Sequence, residues 1–225
     1  MDTWPAHATR FADNILQSVE KDQITSFAFR CSPVLEQLKM YLRFLVHKGG
    51  RLERLTFDLT QARHIDLEED AEEFDVWSAL PLSTMCPSLR YLTLVLPVEQ
   101  HVAGQYDGRP TVARLWRFAN RMLASSATIT DITIRLSFRN AVGVYPPDTT
   151  QPFSCTLHTL EWKTWLDAMK RQDRLRTVQW EVERHPFVQP DIFEVLVLAT
   201  LELDELIQAK LKGLGPDVAM LFGWR

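Results

Sequence analysis

Arg51-Leu52-Glu53-Arg54-Leu55-Thr56-Phe57-Asp58-Leu59 carries the pattern that decides the fold. Leu52, Leu55 and Phe57 form an apolar-x-x-apolar-x-apolar phrase whose second half alternates with polar residues. Alternation at period two is the mark of a half-buried strand, so Leu55, Phe57 and Leu59 share one face and Thr56 and Asp58 the other. The phrase recurs at Ile24, Phe27 and Phe29; at Leu89, Leu92 and Leu94; at Ile129, Ile132 and Ile134; and at Leu175, Val178 and Trp180. Its starts are 28, 37, 40 and 46 residues apart. Each interval has room for a strand, a turn, a helix and a return loop. The alternation points Leu92, Leu94 and Leu96 inward and Tyr91, Thr93 and Val95 outward. It does the same for Ile132, Ile134 and Leu136 against Thr133, Arg135 and Ser137, and for Val178, Trp180 and Val182 against Gln179, Glu181 and Glu183.

The intervening stretches read as helices. Residues 33–46 place Val34, Leu35, Leu38, Leu42 and Leu45 on one stripe, with Pro33 in the first turn and Gly49 and Gly50 as a stop. Residues 111–123 do so with Val112, Leu115, Trp116, Ala119 and Met122, and residues 156–169 with Leu157, Leu160, Trp165, Leu166 and Met169. Ahead of the first strand, residues 5–19 offer Ala8, Phe11, Ile15 and Val19 as a capping helix. The reading is one domain over 1–225: a capping helix in 1–22, five β/α repeats in 23–183 and a C-terminal cap in 184–225. Within that cap, 192–198 fits a strand or a helix start, 201–211 a helix, and 218–222 a strand or a packing tail.

Strands alternating with helices imply an α/β fold with a parallel sheet. A doubly wound sheet is covered on both faces and needs central strands that are apolar throughout. Thr56, Thr93, Thr133 and Gln179 interrupt that, and Arg30-Cys31-Ser32-Pro33 after the first strand lacks the glycine-rich turn of a dinucleotide site. The expected architecture is a short, irregular, leucine-rich-repeat-like solenoid with its helices on one face.

The phrases at 51–59, 88–96 and 174–182, and above all the stretch 157–182, resemble the leucine-rich-repeat portion of fungal, notably basidiomycete, F-box-like proteins. Trp165, Leu166 and Asp167 stand where that family places a Trp-x-x-Leu-Asp helix before a final strand. The resemblance implies a binding scaffold rather than a reaction. No F-box is recognisable in the N-terminal segment, and whether one precedes this chain is not readable from it.

Composition narrows the function classes. The chain has 225 residues, 46% of them hydrophobic and 24% charged, as an ordinary globular protein does. With 25 Lys and Arg against 29 Asp and Glu, there is no global attraction for phosphate backbones, and nucleic acid is not expected as the main partner. Cys31, Cys86 and Cys155 are well separated and form no CxxC pair, which suits reduced thiols in an intracellular compartment, cytoplasmic or nuclear. No apolar stretch reaches signal-peptide or membrane-spanning length.

No compact catalytic motif occurs. Cys155 and His158, three apart, suit a thiolate pair or two metal ligands, but two ligands close no site, so a buried structural thiol is expected and no metal or cofactor is assigned. Arg114, Arg117 and Arg121 read as the solvated side of a helix. The run from Asp66 to Asp75 reads as a solvated segment, and Tyr106 and Tyr145 sit on turn-rich insertions. The function expected is a noncatalytic protein-interaction scaffold. Its candidate partner-binding residues are Thr56, Asp58, Tyr91, Thr93, Thr133, Arg135, Gln179 and Glu181, all projecting from the uncovered strand face. The alternative is an α/β enzyme or small-ligand receptor with a pocket at the carboxyl ends of the strands.

Overall fold

A computed structural model describes residues 24–30, 35–62, 81–99, 110–138, 155–183 and 190–224. The expected capping helix, Cys31, the acidic run from Asp66 to Asp75, and Tyr106 and Tyr145 lie outside them. The repeated phrase forms strands at every copy: β1 (Ser26–Arg30), β2 (Arg54–Asp58), β3 (Tyr91–Pro97), β4 (Asp131–Ser137) and β5 (Thr177–Val182). A further strand, β6 (Ala219–Trp224), completes a parallel sheet of order β1-β2-β3-β4-β5-β6. The fold is α/β with a parallel sheet.

The copies align without a slip. Phe27, Leu55, Leu92, Ile132 and Val178 are successive register partners, and so are Phe29, Phe57, Leu94, Ile134 and Trp180. A slip of one residue would turn Thr56 or Thr133 into the core, so the buried face itself enforces this register. The turns before the strands repeat at atomic detail. The Thr25 carbonyl accepts the N–H groups of Glu53 and Arg54 at 2.8 and 3.0 Å, and Glu53 those of Arg90 and Tyr91 at 3.0 and 2.9 Å. Arg90 accepts from Thr130 and Asp131, Thr130 from Arg176 and Thr177, and Arg176 from Ala219. Each repeat is thus tied to the next before its strand begins.

The helices are α1 (Leu35–Lys48), α2 (Leu82–Met85), α3 (Pro110–Ala124), α4 (Trp162–Lys170) and α5 (Pro190–Leu211). Buried residues from all five join the inward strand residues in one core, among them Leu42, Met85, Leu115, Trp165 and Ile207. Thr56, Thr93, Thr133 and Gln179 on the other strand face are half-buried and outside that core. At the end of α1, Gly49 lies so close to the Met85 carbonyl and the Cys86 sulfur that no side chain fits there.

Two readings change. The helix expected over 156–169 is broken: a 3-10 turn spans Thr156–Thr159, Leu160 is extended, and α4 starts at Trp162. The Trp162 indole Nε1 donates to the Leu157 carbonyl at 2.8 Å, taking the acceptor that a continuous helix would offer to the backbone of Glu161. The C-terminal region, expected as a cap after five repeats, supplies a helix and a sixth strand, and the ambiguous 192–198 lies inside α5. Met220 and Phe222 are in register with Val178 and Trp180. The position matching Leu175 is Asp217, which hides the phrase.

Buried and half-buried polar side chains close the helix ends, whose last carbonyls have no partner within the helix. Gln172, 4% exposed, donates through Nε2 to the carbonyls of Ser126 at 2.7 Å, Leu123 at 2.9 Å and Ala168 at 3.3 Å. The Ser125 hydroxyl donates to Met122 and accepts the Leu82 N–H, each at 2.7 Å.

Candidate functional site

The eight candidate residues occupy one continuous face, because zero-slip pairing stacks residues of equal parity in rows across the strands. The row nearest the amino ends runs Ser26, Arg54, Tyr91, Asp131, Thr177 and Ala219. The middle row runs Ala28, Thr56, Thr93, Thr133, Gln179 and Leu221, and the third Arg30, Asp58, Val95, Arg135, Glu181 and Gly223. All eight therefore come together: Tyr91 in the first row, four in the middle row, and Asp58, Arg135 and Glu181 in the third.

The rows differ chemically. The middle row has no charge, and the Thr56, Thr93 and Thr133 side chains form no hydrogen bond among the described residues. The third row is a set of ion pairs between adjacent strands. Arg30 Nε donates to Asp58 Oδ2 at 2.7 Å, and Arg135 binds Glu181 Oε2 through Nε and a terminal nitrogen, both at 2.9 Å. Gln179 Nε2 donates to the other Glu181 oxygen at 3.0 Å. In the first row the Arg54 guanidinium lies 4.0 Å from the Tyr91 ring centroid, a cation–π contact. Opposite charges on neighbouring strands leave the face close to neutral, studded with hydroxyl and amide groups.

Two outward residues are not bare, contrary to expectation. Asp58 is 8% exposed, and its Oδ1 accepts the Thr60 N–H at 3.0 Å and the Thr60 hydroxyl at 2.6 Å. A carboxylate with three donors inside the molecule serves the end of β2 rather than an incoming partner. Val95 is 4% exposed. Arg30 and Arg54 belong to the face and were missed; extending the alternation of β1 and β2 by one residue at the relevant end would have found them.

Three further chemistry-bearing groups, Cys86, Cys155 and His158, belong to the packing and capping of the fold. Cys155 and His158 cap the 3-10 turn reciprocally: the Cys155 N–H donates to His158 Nδ1 at 3.2 Å, and Sγ lies 3.6 Å from the same nitrogen. Burial pushes the thiols of Cys86 and Cys155 from 9.0 up to about 12. At pH 8 neither is expected to react with iodoacetamide in the folded protein, whereas both label in urea; peptide mapping after a short pulse checks this. Between pH 9 and about 12 the unfolded chain releases thiol protons that the folded one keeps, so stability falls as pH rises through that window. Among the described residues no group of three His, Cys, Asp or Glu side chains is placed to hold a metal ion. Nor is any described helix long and apolar enough to cross a membrane.

Comparison with protein-family models, with curated proteins and with solved structures found no match for this chain.

Proposed function

We propose that the chain is a noncatalytic interaction scaffold, a short leucine-rich-repeat-like solenoid that binds another protein on the outer face of its strands. The middle row carries this reading: uncharged residues with uncommitted threonine hydroxyls, about 4.8 Å apart from strand to strand, beside a third row whose ions are already paired. Such a surface costs little to desolvate and reads a partner by shape and scattered hydrogen bonds. The strand order supports helices on one side. A chain that steps always to the next strand through right-handed crossovers lays every crossover on the same face. The resemblance of the 157–182 stretch to basidiomycete F-box-like proteins points the same way, towards an intracellular binding role. An enzyme or receptor with a pocket at the carboxyl ends is the weaker reading, because a strand order that never reverses has no switch-point crevice.

Placing arginines at the centre of the row tests it. Thr93→Arg with Thr133→Arg adds bulk and unpaired charge where binding energy concentrates. Proteins enriched from cell extract by the wild type are expected to be lost with this variant and kept with Arg117→Glu on α3, circular dichroism showing all three folded. Enrichment unchanged by the double variant would overturn the reading.

A further inference from the structure

A different surface carries a second inference. In a parallel sheet with helical crossovers, every helix C-terminus and every turn leading into a strand comes to the amino-end edge of the sheet. Residues 47–54, 86–91, 121–131, 170–177 and 210–219 form this rim, and the carbonyl ladder from Thr25 through Glu53, Arg90, Thr130 and Arg176 to Ala219 holds its turns side by side. The rim contains eleven Lys and Arg residues and four carboxylates, Glu53, Asp131, Asp173 and Asp217, a surplus of seven positive charges. The whole chain is at −4, so the charge is segregated.

Helix dipoles account for part of this. Lys48, Arg121, Lys170 and Lys210 lie in last turns, where cations offset the partial negative charge of the helix end. Arg51, Arg54, Arg90, Arg171, Arg174, Arg176 and Lys212 lie beyond the helices and are exposed. Among the described residues Arg90, Arg174 and Arg176 form no ion pair. Arg90 and Arg176 hold equivalent positions, each the last residue before its strand. Lys170 Nζ lies above Gly213, beside Lys212.

We propose that this rim docks an acidic segment of a partner protein. The basic residues gather at the turns leading into β2 and β3 and into β5 and β6, and β2 to β6 spans four strand spacings, roughly 19 Å, the reach of about six extended residues. Glu53, Asp131, Asp173 and Asp217 stand among the arginines. A peptide accommodates them by placing neutral or basic residues opposite, whereas the unbroken charge of a phosphate backbone is repelled there. The rim borders the outer strand face and shares Arg54, Tyr91 and Asp131 with its first row, but Arg90, Arg174 and Arg176 precede their strands and lie outside the three rows, so variants at these positions test the rim alone.

A fluorophore-labelled ten-residue peptide of alternating glutamate and serine is the probe, read by anisotropy on the full chain in about 50 mM NaCl, where Debye screening is weak. The wild type is expected to bind, and to bind much more weakly in about 300 mM NaCl. Arg174→Glu with Arg176→Glu, and separately Arg90→Glu, are expected to weaken binding about fivefold or more. Arg117→Glu, a charge reversal away from the rim, and Thr93→Arg are expected to leave it within about twofold. The proposal is overturned by absence of binding, by rim variants no weaker than Arg117→Glu, or by tighter rim-dependent binding of oligothymidylate or of phosphatidylserine vesicles.

Discussion

Replacing Trp116 by Ala is expected to cost about 3–5 kcal/mol, as for large aromatic residues removed from cores. Trp116 is 1% exposed and joins three elements. It rises from α3, meets Trp165 of α4 edge-on with ring centroids 5.5 Å apart, and donates from Nε1 to the carbonyl of Pro97, the last residue of β3, at 2.9 Å. Alanine removes the apolar area, opens a cavity between two neighbouring repeats and leaves a buried carbonyl unpaired. Phe restores most of the packing but not the donor, so Trp116→Phe should lie between, at about 1–3 kcal/mol. Urea denaturation checks the order. At roughly 2–4 °C per kcal/mol for a chain of this size, Trp116→Ala should lower the melting temperature by roughly 10 °C. A loss for Trp116→Ala below about 1 kcal/mol would refute the packing described.

Gln172→Leu is the second large effect. The substitution keeps most of the volume and adds apolar surface, so area alone predicts little loss. Hydrogen bonding predicts otherwise. The side chain lies between the C-terminal ends of α3 and α4, and its amide supplies the donor for the Ser126 and Ala168 carbonyls while also reaching Leu123. Each buried carbonyl stranded by leucine costs about 1–3 kcal/mol. The expected result is a lower urea midpoint with an unchanged slope. A midpoint equal to the wild type would mean that water or a shifted turn satisfies these carbonyls instead.

Much of the architecture was legible because the signals are local. Leu55 and Phe57, Leu92 and Leu94, and Ile132 and Ile134 announce strands by parity alone, and Thr56, Thr93 and Thr133 mark the opposite face. The same parity located the eight candidate residues and predicted their shared side. The misses came from side chains whose partners are not set by period. Trp162 breaks a helix by taking a carbonyl that the stripe of apolar residues gave no reason to doubt. Asp217 stands where an apolar residue would have announced the sixth strand, so the sequence leaves 218–222 open between a strand and a packing tail, and the structure makes it β6. Asp58 looked like a solvent-facing ion because parity says which way a residue points, not that Arg30 and Thr60 will enclose it.

By itself, the sequence determined the α/β class, the parallel strands and their inward and outward faces, since alternating and helical hydrophobic periods admit one way to bury the oily residues. Tertiary structure alone decided which charges neutralise one another and which accumulate. Arg135 meets Glu181 across 46 residues of chain, and Arg90 comes to share a rim with Arg174 and Arg176. Those neighbours depend on insertions of unequal length folding back to the same sheet edge, and no local period encodes that distance.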